Sequence, residues 1–117
     1  MSDAASEEGF VEKQIATAST KIENIETKLL TSDTLKAAER EVNGGMKVLK
    51  ETGQAFDHAE KVQQGINGLN RQVTHLEKVL QRSGLSESHV QMINGLIERA
   101  RGLVVTGVRA ITPKEPI

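Results

Sequence analysis

Apolar residues recur along most of this chain at steps of three and four. One row reads Val11, Ile15, Ala18, Ile22, Ile25 and Leu29. A second reads Leu35, Ala38, Val42, Met46, Leu49, Phe56, Ala59, Val62, Ile66, Leu69, Val73, Leu76 and Leu80. Polar and charged residues fill the positions between. This is the signature of helices that bury one narrow face against other helices. The expected fold is all-α: an antiparallel, coiled-coil-like bundle of three to four helices.

Capping signals divide the pattern. Residues 1–7 read as a flexible acidic tail and residues 8–111 as a single helical domain. A first helix is predicted over about 6–30, closed by Thr31-Ser32-Asp33, where Ser32 or Asp33 can accept from the free N–H groups of the next helix. A middle segment over about 34–82 keeps its stripe in phase without a proline, which favours one long, kinked helix. Against continuity stand Gly44, Gly45, Gly53, Gly65 and Gly68, each costing about 1 kcal/mol relative to Ala. A break, if present, is expected near Glu51-Thr52-Gly53. Ser83-Gly84-Leu85 has the form of a Schellman stop, and Ser86 then caps a last helix over about 86–111. Thr112-Pro113 ends it, leaving 112–117 as a second tail.

That last helix gathers Val90, Met92, Ile93, Leu96, Ile97, Ala100, Leu103, Val104, Val108 and Ile111 on one broad side, with Val105 on the polar flank. A face this wide serves more than one neighbour. Val62-Gln63-Gln64-Gly65-Ile66-Asn67-Gly68-Leu69 is echoed by Val90-Gln91-Met92-Ile93-Asn94-Gly95-Leu96. If the echo has meaning, Gly68 and Gly95 mark close helix crossings.

Composition narrows the function classes. Net charge is −1, and only Phe10 and Phe56 are aromatic, so neither a global positive field nor a stacking platform favours nucleic acid. Without cysteine there is no disulfide, thiolate metal site or thiol nucleophile. No apolar run reaches the roughly 20 residues that cross a bilayer, and the polar start is not a Sec-type signal. A soluble chain, cytoplasmic by default, is expected, with signal-free export left open.

Candidate chemistry is sparse. His58, His75 and His89 are not spaced i,i+3 or i,i+4 from one another, so surface or capping roles are expected and no metal or cofactor is predicted. There is no phosphate-binding glycine loop and no nucleophile elbow. His75-Leu76-Glu77-Lys78 and His58-Ala59-Glu60-Lys61 resemble the His-x-x-Lys of histidine phosphotransfer domains, which are four-helix bundles of this size. Val79 and Val62 stand where those domains carry the glycine that admits their partner. A membrane-binding alternative rests on Arg99, Arg101, Arg109 and Lys114, with no acid among them. The expectation these patterns favour is a non-enzymatic assembly or interaction subunit, forming a homo- or hetero-oligomer. Its interface would lie on the seam: Val62, Ile66, Leu69, Val73, Leu76, Leu80, Ile93, Leu96 and Leu103.

Overall fold

A computed structural model describes residues 3–44 and 57–113. Among them are four helices and no strand: α1 (Asp3–Lys28), α2 (Ser32–Val42), α3 (His58–Leu80) and α4 (Glu87–Ile111). The all-α expectation holds. Helix α1 begins at Asp3, a few residues ahead of the start expected near residue 6. It closes where the carbonyl of Ile25 accepts from both Leu29 N (2.8 Å) and Leu30 N (3.1 Å). The cap of α2 is Thr31, not Ser32 or Asp33: its hydroxyl accepts from Thr34 N at 3.2 Å.

The single long middle helix is not formed. Helix α2 stops at Val42, and Gly44 turns the chain with φ of 89°. A new helix, α3, starts at His58, with the Asp57 side chain accepting from Glu60 N at 2.9 Å. The stripe keeps phase because both helices present the same kind of face to one core, so periodicity alone could not show the gap. The break expected near Glu51-Thr52-Gly53 lies outside the described residues. The later boundary follows expectation. Gly84 takes φ of 79°, Leu85 packs on the core, and Ser86 Oγ accepts from His89 N at 3.1 Å.

The topology differs from simple alternation of direction. Helices α3 and α4 form an antiparallel hairpin and share the most extensive contact. Gln14 meets His75, Ile25 lies over Gly68, Leu30 over Gly65, and Glu41 reaches His58. Helices α1 and α2 therefore run one after the other along α3, antiparallel to it and parallel to α4. They do not pack on each other. Each cross-section of the bundle is three helices thick, which is enough to enclose the seam.

The core collects Val11, Ile15, Ala18 and Ile22 of α1, Ala38 of α2, and Ile93, Ile97 and Ala100 of α4 around the Val62–Val79 stripe of α3. Glycines set two of the crossings. A methyl group at Gly68 would fall 2.9 Å from Ile25 Cδ1, and one at Gly65 3.2 Å from Leu30 Cδ2. At Gly107 it would meet Ile66 Cγ1 at 2.9 Å and Val62 Cγ1 at 3.3 Å. Gly95 has nothing within 4 Å, so the echo marks a close crossing at Gly68 but not at its counterpart. Opposite signs are expected from one chemical change. Gly95→Ala should stabilise by up to about 1 kcal/mol through helix propensity. Gly107→Ala should destabilise, because overpacking against fully buried Val62 and nearly buried Ile66 costs about 1–3 kcal/mol and outweighs that gain. Denaturant titrations of both variants check this; equal stabilisation would mean that α3 and α4 are not this close.

Candidate functional site

The nine seam residues proposed as an interface lie within the chain's own core. Val62, Ile66, Leu69, Val73, Leu76 and Ile93 are buried, and Leu80, Leu96 and Leu103 are half-buried against them. The six buried residues offer no surface to a partner of the folded chain. What remains outside is different: among the described residues, Phe10, Met92, Val105 and Val108 are the large apolar side chains left exposed. Met92 and Val108, assigned from periodicity to the buried side of the last helix, fall outside it, because α4 has neighbours over a narrower arc than its apolar face spans. Val105 and Val108 sit one turn apart on the outer side of α4, with Arg101 and Arg109 on the same side.

Each histidine is tied to a helix other than its own. His58 lies in the first turn of α3, with its side chain 17% exposed. Its Nδ1 pairs with Glu41 Oε2 at 2.5 Å, while Glu41 Oε1 accepts from the backbone N–H of His58 (2.9 Å) and of Ala59 (3.2 Å). One carboxylate, its side chain only 4% exposed, thus closes the N-terminus of α3 and ties it to the last turn of α2. His75 Nε2 donates to Gln14 Oε1 at 2.5 Å, joining α3 to α1. His89 is buried rather than superficial, with Nε2 3.6 Å from Glu12 Oε1. It lies beside an α1–α4 groove of about 380 Å³ lined also by Ser19, Ser88 and Met92. The spacing of histidines along the sequence carries no sign of these pairings, since each partner is 17 or more residues away.

Charges sort by flank. Toward α4, helix α1 presents Glu12 and Glu26, and Glu26 pairs with Arg99 at 2.6 Å. Glu77 of α3 lies 3.6 Å from Arg101. Toward the outer side of α3, helix α1 presents Phe10, Gln14, Thr17, Lys21 and Lys28, and the ring of Phe10 lies under the Arg82 guanidinium, 4.4 Å from its centroid. The sequence mixes these acids and bases along each helix; the helical projection and the pairing separate them. Among the described residues no group of three or more His, Cys, Asp or Glu could hold a metal ion, and no helix is long and apolar enough to cross a membrane.

No curated protein and no solved structure matches this chain. A family model described as bacterial toxin 28 (Ntox28) matches residues 11–105, from the first core residue of α1 to the exposed Val105 of α4. That span covers most of the chain and most of the residues that build its core, and the chain belongs to the bacterial toxin 28 family.

Proposed function

We propose that this member of a bacterial toxin family acts by binding rather than by catalysis, as a helical module that pairs with a helical segment of another polypeptide through the outer face of α4. The observation that carries this reading is the exposure of Val105 (47%) and Val108 (44%) side by side on a helix whose inner face is already filled. Arg101 and Arg109 border the pair. In an antiparallel α4–α4 pairing centred on Val105, Arg101 of one copy would oppose Arg109 of the other, so like charges disfavour a second copy. A partner helix with an apolar centre and flanking carboxylates fits instead. The histidines support the same reading, since each is engaged in holding two helices together.

Induced expression in bacteria tests the proposal. The wild-type chain is expected to arrest growth, and Val105→Asp/Val108→Asp to restore it while leaving thermal unfolding unchanged. If instead a folded His75→Gln variant loses toxicity and the double-Asp variant keeps it, catalysis at a histidine replaces binding as the mechanism.

A second reading uses the same face on an anionic membrane, because α4 carries no acid between Arg99 and Ile111. Arg99 and Arg101 already face Glu26 and Glu77, which lowers the charge left for lipid. Co-sedimentation of wild type, but not of the double-Asp variant, with phosphatidylserine vesicles would favour the membrane over the protein partner.

A further inference from the structure

We infer that the chain has a second docking surface, the outer groove between α1 and α3, and that it takes an acidic helical segment of a partner polypeptide. The groove is defined by two rows that run antiparallel. On α1 the row is Phe10, Gln14, Thr17, Lys21 and Lys28; on α3 it is Gln64, Arg71, His75 and Lys78, continued by Arg82 in the turn that follows. Three contacts fix their register: Phe10 with Arg82, Gln14 with His75, and Ile25 with Gly68. That register sets Lys21 level with Arg71, and Lys28 level with Gln64.

The electrostatics are unusual for a chain of net charge −1. From Phe10 to Lys28 on one row, and from Gln64 to Arg82 on the other, there is no Asp or Glu. Among the described residues no ion pair forms at Lys21, Lys28, Arg71 or Lys78. The neighbouring carboxylates point elsewhere: Glu12 and Glu26 toward α4, and Glu77 to Arg101. Placing Lys21 opposite Arg71 with no compensating carboxylate costs folding energy, and a bound polyanion removes that cost.

The spacing selects the class of polyanion. Lys21 and Lys28 on α1, and Arg71 and Lys78 on α3, are each seven residues apart, a repeat of about 10.5 Å along the helix axis. Carboxylates one heptad apart on a docked helix have that same repeat, as in the charged flanks of coiled coils. On α3, Arg71 and Lys78 line one shallow depression with Asn70, Thr74 and His75, and on α1 Gln14 and Thr17 stand between Phe10 and Lys21, so binding there is driven by charge and is sensitive to salt.

The inference shares with the α4 proposal only the premise that the chain binds other polypeptides, and it is tested separately. A fluorescein-labelled helical peptide of about three heptads, alanine-rich with Glu at the e and g positions, is titrated with the full chain and followed by anisotropy. Saturable binding at low salt is expected. Lys21→Gln/Arg71→Gln/Lys78→Gln should weaken it about tenfold or more, whereas Lys36→Gln/Arg40→Gln on α2 should leave it within about twofold. All five positions are solvent-exposed, and circular dichroism confirms that both variants stay helical. Absence of peptide binding at low salt, or equal binding by the triple variant, overturns the inference. So does tighter, triple-sensitive binding of a single-stranded oligonucleotide or of phosphatidylserine vesicles. None of these outcomes alters the growth result expected for Val105→Asp/Val108→Asp, so the two surfaces stand or fall independently.

Discussion

Replacing Leu69 by Ala is expected to lower the unfolding free energy by about 3 kcal/mol, and to do so equally at every protein concentration. Leu69 is fully inaccessible in the same cluster as Ile22 of α1, Leu76 of α3 and Ile93 of α4. Removing its branched end leaves a cavity that three helices would have to close together, and helices held by Gly68 and Gly107 crossings have little room to do so. Denaturant titrations at two concentrations a hundredfold apart provide the check. A loss of stability that appears only on dilution would place Leu69 between chains instead of inside one.

Glu41→Ala is expected to cost about 2–3 kcal/mol, more than removal of any other single charge among the described residues. The carboxylate accepts from two backbone N–H groups and pairs with the His58 ring. Truncation leaves those donors part-buried without their acceptor, and removes a negative charge from the positive end of α3. Glu98→Ala, at an exposed position on α4, should change stability by no more than about 0.5 kcal/mol. Urea unfolding of the two variants side by side checks the contrast. Equal, small effects would mean that α2 and the start of α3 are not joined through Glu41.

Two of the three junctions of the bundle were legible to different degrees. The α3–α4 hairpin could be read from Leu80, Gly84 and Ser86 because its cap, its left-handed glycine and its next cap lie within a few residues. The α2–α3 break was not, since its determinants are Gly44, Asp57 and a carboxylate at Glu41 that reaches across 17 residues. The core was legible as a stripe, but a stripe alone does not say what it faces. Val62, Leu69 and Leu76 look alike whether they face a partner or the chain's own α1 and α4. Only the end-to-end arrangement of α1 and α2 decides it, and nothing in a heptad pattern encodes the order of helices around a bundle. Val105 shows the converse. Its position on the polar flank was visible in the projection, yet only the filled inner face of α4 makes that exposure informative.

The most direct test of this account is the mass of the isolated chain by size exclusion with light scattering, combined with circular dichroism over the same dilution series. The account predicts a helical particle of 12.7 kDa, one chain, whose helicity does not change on dilution. A dimer or larger species that loses helicity as it dissociates would contradict it, because the Val62–Val79 seam would then be completed by a second copy rather than by α1 and α4.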